Sequence, residues 1–290
     1  MSPERLSVPW SSGVEPPALV VPANAIDCHH HIYDHRFPVD PHSALRPGVA
    51  GIADYRLLQR RLGIGRHVLV QPSTYGLDNS GLVWALGQFG LAEVRGVAVV
   101  TADVAEAELD RLDAAGVRGV RVNLVNPGGA TALPMVPALA RRIADRGWHL
   151  QLYIDGDRIV AHRDLWPALP CPVVFDHLGR IPQPDGVDHP AFTVIGELLA
   201  KDRAWVKLSG FYMVGRIGAP TFADASAVAK AYVAACPGRL VWGSDWPHAT
   251  EPATAKPDDA AMLDLLGQWT GDPEVVRAIL VDNPARLYGF

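Results

Sequence analysis

Eight short runs rich in Val, Leu and Ile punctuate the chain: AIDCHHH (25–31), HVLVQPS (67–73), VRGVAVV (94–100), GVRVNL (119–124), HLQLYID (149–155), PVVFDH (172–177), AWVKLSG (204–210) and RLVWGSD (239–245). These runs are apolar on both faces, which fits strands of a parallel sheet covered by helices. Amphipathic segments lie between them. DYRLLQRRLG (54–63) and NSGLVWALGQFG (79–90) both end in a glycine stop. In AEAELDRLDAAG (105–116), Leu109, Leu112 and Ala115 share one helical face ahead of Gly116. VPALARRIADRG (136–147) repeats the pattern, and helices are also predicted over 191–202, 222–236, 257–269 and 273–287.

Strands alternating with helices in this number predict a single-domain (β/α)8 TIM barrel over 24–290, preceded by an irregular N-terminal arm over 1–23. A doubly wound open sheet is the competing architecture. No GxGxxG turn follows the first strand, which argues against its dinucleotide-binding form. Segments 180–190 and 211–221 read as loops over the barrel, the second as a mobile one.

Chemistry in a barrel sits at the C-terminal strand ends. Strand 1 ends in Asp27-Cys28-His29-His30-His31, strand 2 in Gln71 and Ser73, and strand 4 in Arg121 and Asn123. Strand 5 ends in Tyr153 and Asp155, strand 6 in Asp176-His177, strand 7 in Lys207 and Ser209, and strand 8 in Asp245. Alternation turns His29 and His31 into the mouth and His30 away from it. An HxH pair alone is more often packing than chemistry. His177 and Asp245 at two further strand ends complete a set that can hold one divalent ion or one anion. The Asp245 carboxylate is suited to take a proton from water, and a bound metal would lower that water's pKa and polarise a carbonyl. His67 and His149 open their strands and read as structural. Gly243 permits close packing, Trp242 reads as packing, and His248 is placed near the mouth.

Composition narrows the class. The chain has 290 residues with 26 basic and 31 acidic side chains, a net charge of −5 and no basic block, so nucleic acid is excluded as a partner. Isolated arginines must then meet any anionic substrate. Three widely spaced cysteines without a CxxC pair, and a polar, proline-rich start, read as a cytoplasmic protein with reduced thiols. No window reaches the length of a membrane span. The oligomeric expectation is a monomer or a small homo-oligomer.

IDCHHHI, VFDHLGR, LVWGSDWPH and the tail VDNPARLYGF resemble the first-strand, sixth-strand, eighth-strand and closing segments of the amidohydrolase superfamily, in its amidohydrolase 2 branch. VLVQPSTYGLDN, GVRGVRVNL and GWHLQLYID are similar to the lactone hydrolases of that branch. The resemblance implies that His29, His31, His177 and Asp245 form the catalytic set, and that Asp245 activates water. It implies that Ser73, Arg121, Tyr153, Arg180 and His248 hold a small acidic lactone. The same four catalytic residues would be the ligands of one divalent metal, zinc or manganese; the resemblance leaves open whether a metal is needed, since one lactonase of this branch works without bound metal.

Two departures from the pattern matter. Tyr153-Ile154-Asp155 stands where decarboxylase relatives place a metal-binding histidine, and no strand-4 lysine is available to bridge two metals. The loop VNPGGATALP (125–134) carries no Lys or Arg, so one anchoring charge is missing and a substrate with a single carboxylate or sulfonate fits. The expected reaction is hydrolysis of such a lactone. Alternatives are a lactone isomerase, a metal-dependent decarboxylase and a non-catalytic sugar-acid binding protein.

Overall fold

The apolar runs pair in chain order. In a computed structural model that describes residues 2–125 and 130–290, the strands are β1 (Ile26–His30), β2 (Arg66–Val70), β3 (Val94–Ala98), β4 (Val117–Asn123), β5 (His149–Tyr153), β6 (Val173–Phe175), β7 (Ala204–Leu208) and β8 (Leu240–Trp242). Among the described residues they form one sheet in the order β1 to β8, every neighbouring pair parallel. The seam between the last strand and the first is joined just past β8: Asp245 N donates to His29 O at 2.7 Å and His31 N to Trp246 O at 2.9 Å. The protein is a single-domain (β/α)8 TIM barrel. The uncharged stretch expected after β4 lies in part, over 126–129, outside the described residues.

Each crossover carries a helix: α1 (Ile52–Leu62), α2 (Ser80–Phe89), α3 (Glu106–Ala114), α4 (Val136–Ala144), α5 (Gly156–Ala161), α6 (Pro190–Ala200) and α7 (Ala223–Ala235), with α8 (Asp259–Thr270), α9 (Pro273–Arg277) and α10 (Asn283–Tyr288) after β8. Helix α5 has six residues. That is too short for a 3.6-residue period to register, and the hydrophobic pattern does not show it. The helix predicted over 273–287 is interrupted by a π-helical stretch, Ala278–Asp282. Pro284 follows at once; it has no N–H to donate and its ring cannot sit inside an uninterrupted α-helix.

Residues 2–23 form no helix or strand. They are strapped to the barrel by the fully buried Arg61 of α1, which reaches Glu15 O at 2.9 Å, Ser12 O at 2.8 Å and Asp258 Oδ1 at 2.5 Å. Two apolar layers hold the barrel. A large one lies between sheet and helices, and a smaller one, including Ile26, Val68, Val97, Val174 and Val241, closes around Tyr288. No helix among the described residues is long and apolar enough to cross a membrane.

The seam depends on Asp27, which is fully buried. Oδ1 accepts from His29 N at 3.0 Å and Ser244 N at 2.9 Å, while Oδ2 accepts from Ser244 Oγ at 2.6 Å and Tyr55 Oη at 3.0 Å. One carboxylate thus ties β1, the exit of β8 and α1 together. Burial pushes its carboxyl up to about 6 against the pull of these bonds. Gly243 completes the closure, since a Cβ there would lie 2.6 Å from His29 Cβ.

Asp27→Asn sets two amide hydrogens against a ring of four donors. We expect a loss of about 2–3 kcal/mol of stability near neutral pH, read from the midpoint of urea unfolding. A midpoint equal to that of the parent would mean that Asp27 does not hold the seam.

Candidate active site

Past the ends of β1, β6 and β8, four side chains converge. Asp245 Oδ1 lies 3.5 Å from His29 Nε2, 3.6 Å from His31 Nε2 and 4.0 Å from His177 Nε2. The His29 ring centroid is 5.0 Å from that of His31 and 4.8 Å from that of His177. Two of these residues bend the chain to get there. His177 and Asp245 have φ of 52° and 62°, a left-handed conformation that non-glycine residues adopt at a cost and that clusters at functional sites. His30 turns away, as alternation requires, and stacks on Tyr55 with centroids 3.6 Å apart.

Each ring has a partner behind it. His31 Nδ1 faces Val70 O at 2.8 Å, so it carries the hydrogen and leaves Nε2 a lone pair. His29 Nδ1 faces Asp176 Oδ1 at 3.4 Å and Lys207 Nζ at 3.4 Å. Gln151 Oε1 at 2.7 Å and Cys28 O at 2.9 Å take two of the ammonium's three hydrogens, so Lys207 and Asp176 both remain as partners for His29 Nδ1. His29 Nε2 is buried and has no hydrogen-bond partner among the described residues. His177 Nδ1 pairs with Ser209 Oγ at 2.9 Å.

Burial sets the protonation of the set. It pushes His29 well below the ordinary imidazole range, helped by the Lys207 charge and opposed by Asp176. It brings His177 down to about 4, against the pull of Asp245 and Asp176. Burial would raise Asp245, but His177, His31 and His29 around it prevail and hold it well below the usual carboxylate range. Three imidazole nitrogens and a carboxylate oxygen therefore face one point.

Several residues of the site were not singled out in the sequence. Asp176 is fully buried under His29, and its Oδ2 accepts from Arg121 Nε at 2.9 Å and Gln151 Nε2 at 3.1 Å. Lys207 is fully buried beside it, and burial lowers its ammonium to about 8. A charged pair at adjacent strand ends was the available signal. Alternation alone would set Asp176 and His177 on opposite faces, but the left-handed turn at His177 brings both inward. Tyr212, from the 211–221 loop, donates to Asp245 Oδ2 at 2.6 Å; nothing in the sequence pattern marks it.

Above the four residues opens a cavity of about 430 Å³, with His31, His177 and Asp245 among its walls. Ser73, Arg121 and Tyr153 line it as well. Arg121 is nearly buried, lies over the Tyr153 ring at 4.9 Å, and spends only Nε on Asp176; its two terminal nitrogens make no hydrogen bond among the described residues. Arg180 and His248 are not brought to the wall. Arg180 pairs with Asp155 at 2.8 Å and donates to Tyr153 Oη at 3.0 Å. His248 is wholly buried, with Nδ1 3.1 Å from Tyr212 Oη and Nε2 3.2 Å from Asp259 Oδ2.

The donor set fits a divalent ion. The ligand atoms of His29, His31 and Asp245 all lie within 4.8 Å of one another, and the two Nε2–Oδ1 distances of 3.5 and 3.6 Å are close to the edge of about 3.4 Å expected of a tetrahedron with 2.0–2.1 Å bonds. His29, Asp176 and His177 form a second such group, in which Arg121 and Gln151 occupy Asp176 Oδ2 and leave Oδ1 toward His29.

With this barrel and this site, the chain belongs to the amidohydrolase family, whose model, described as Amidohydrolase, matches residues 26–290. It is 33% identical to a 2-pyrone-4,6-dicarboxylate hydrolase of Comamonas testosteroni, covering 96% of this chain and 94% of that one. It is 32% identical to a D-galactarolactone isomerase of Agrobacterium fabrum, covering 92% and 91%. A crystal structure of an Agrobacterium tumefaciens protein superimposes with a TM-score of 0.90 at 30% identity, covering 97% of this chain and 98% of that one.

Imidazole nitrogen NMR tests the electrostatics without a substrate. Burial outweighs the neighbouring carboxylates, so His177 is expected to stay neutral as pH falls and to gain its proton only near 4. A midpoint at the ordinary value of about 6.5 would mean that the ring is hydrated and the pocket open at its floor.

Proposed function

We propose that the protein hydrolyses a small lactone bearing one carboxylate or sulfonate. The observation that carries this reading is the convergence of three imidazole nitrogens on Asp245 Oδ1 at the floor of a cavity that also presents a half-used guanidinium. Relatives named as a 2-pyrone-4,6-dicarboxylate hydrolase, whose pyrone ring is a cyclic ester, and a D-galactarolactone isomerase support the substrate class.

In this reading, Asp245 is the general base. It is ionised at any working pH and faces the cavity, so it takes the proton of a water that attacks the ring carbonyl. His29, His31 and His177 border the point where the carbonyl oxygen gains charge, and a ring that carries its hydrogen on Nε2 stabilises that charge from a fixed position. His29, His31, His177 and Asp245 would hold one divalent ion, zinc or manganese, which when bound lowers the pKa of water and polarises a carbonyl. Without it, an imidazole that carries its hydrogen on Nε2 serves the same oxygen. The terminal nitrogens of Arg121 clamp the substrate's acidic group, for which a guanidinium fork is shaped. Tyr153 and Ser73 bound the same space, and Arg180 fixes Tyr153 through its hydroxyl.

An isomerase is the second reading, because one relative is a galactarolactone isomerase. The same residues would then move a ring bond with no net uptake of water.

A screen of carboxylated and neutral lactones, on metal-stripped and metal-loaded protein, follows ring opening by proton release. Hydrolysis of acidic lactones is the expected result. A product of unchanged mass would assign the isomerase instead, and tight binding without turnover would leave a binding protein. Asp245→Asn keeps the shape of the side chain and removes the proton acceptor; kcat is expected to fall by about 100-fold or more, and near-parental kcat would remove Asp245 from the reaction.

Arg121→Met separates clamp from scaffold. Both substrate types lose some rate, because Asp176 is left short of a partner. The acidic lactone should lose about 2–3 kcal/mol more in kcat/KM, or about 30- to 150-fold. Equal losses on acidic and neutral lactones would make Arg121 purely structural.

A further inference from the structure

The two oxygens of Asp245 have separate tasks. Oδ1 meets all three imidazoles. Oδ2 is taken by the Tyr212 hydroxyl at 2.6 Å. An ionised carboxylate cannot donate, so Tyr212 spends its only hydrogen on Asp245, and its oxygen is left to accept. His248 Nδ1, 3.1 Å away, supplies that hydrogen bond. On its other side, His248 Nε2 meets Asp259 Oδ2 at 3.2 Å, so the ring needs a hydrogen on each nitrogen to serve both partners. Both His248 and Asp259 are wholly buried, and His248 is absent from the cavity wall.

Each link of this chain is fixed from outside. Asp259 is the first residue of α8, where the helix N-terminus favours a carboxylate. The preceding Asp258 accepts from Ala260 N at 3.0 Å and is held by the buried Arg61. The backbone of His248 is in the left-handed region, with φ of 54°, and its carbonyl accepts from Lys256 Nζ at 2.6 Å. Such a turn has a cost, and here it is what aims the ring inward at Tyr212 and away from the mouth.

We propose that His248 and Tyr212 are positioning residues: anchored by Asp259 of α8, they lock the Asp245 carboxylate so that Oδ1 alone faces the imidazoles and the substrate. This rests on Asp245 being the base of the proposed hydrolysis. A carboxylate without the lock can turn about its last bond, and small misplacements of a reacting group are expensive in rate.

The test combines structure with kinetics. In a crystal structure of Tyr212→Phe the Asp245 carboxylate should be rotated away from the orientation described above. That readout needs no substrate, so it decides the proposal even if no lactone proves to be hydrolysed, which would overturn the functional reading alone. On a hydrolysed lactone, Tyr212→Phe should lower kcat by about 10- to 100-fold, as loss of a supporting partner does at such sites, with KM little changed. Asn and Gln at 248 divide the two nitrogens of the ring. His248→Asn keeps a donor near Nδ1 and should retain most of kcat. His248→Gln keeps one near Nε2 only and should fall to the level of Tyr212→Phe. The double variant Tyr212→Phe/His248→Gln should be no slower than either single one, since residues acting in series are not additive. An unmoved carboxylate with parental kcat in Tyr212→Phe, additive losses in the double variant, or a rise in KM at unchanged kcat in the His248 variants would each overturn the proposal.

Discussion

Closure of β1 onto the exit of β8 is the constraint on which the site depends. His29 and His31 belong to one side of that seam and Asp245 to the other. The backbone bond from Asp245 N to His29 O is at once a bond that closes the barrel and the bond that sets the carboxylate beside the imidazoles. Asp27 explains why the seam holds in an apolar interior: a buried carboxylate is tolerable when every acceptor site is used, and here four donors from three elements meet it. Gly243 serves the same approach by leaving out a side chain where His29 passes. The sequence DCHHH and the sequence GSD are therefore two halves of one joint.

How much of this was legible follows from which residues lie on regular backbone. The strands, most of the helices and the barrel class are read from periodicity, because a strand covered on both faces leaves a long apolar signature. The convergence of His29, His31, His177 and Asp245 could be expected from strand ends alone, since a barrel brings all such ends to one rim. Irregular backbone hides the rest. His248 was placed near the mouth by its distance from Asp245 in the chain, yet a left-handed turn sends its ring into the interior. Arg180, also left-handed, turns onto Asp155 and Tyr153. Tyr212 stands in a segment with no period, and its contact with Asp245 depends on the path of a whole loop. Helix α5 and the break before Pro284 are too local to shift a hydrophobic pattern. The segment 126–129 lies outside the described residues, so the charge-poor loop after β4 remains a reading of the sequence.

Beneath the visible site lies a buried polar layer. Gln151 is its pivot: Oε1 accepts from Lys207 and Nε2 donates to Asp176. Lys207 also binds the Cys28 carbonyl of β1, and Arg121 crosses from β4 to Asp176 at the end of β6. Strands from around the barrel are thereby joined through side chains as well as through the sheet. The layer has a chemical effect above it. Asp176 and Lys207 flank His29 Nδ1 and so aim Nε2 at Asp245, and by occupying Arg121 Nε, Asp176 leaves only the outer end of the guanidinium for an incoming anion.

Charge balance links this layer to the cofactor question. Around the cavity floor, Arg121 and Lys207 carry two positive charges and Asp176 and Asp245 two negative ones, and the buried imidazoles His29 and His177 are held neutral. The resting site is thus near neutrality, as a dry interior requires. An acidic lactone adds a negative charge that Arg121 can orient but that the count does not cancel. The compensating charge has to arrive with the substrate or wait in the site, as a proton on one of the converging imidazoles or as a divalent ion held by them. A proton balances a substrate with one acidic group, whereas a divalent ion matches two. On the proposed reading, a site with a half-used arginine in its wall accepts a singly charged lactone with its own residues, and the demand for a metal would rise with the charge of the substrate.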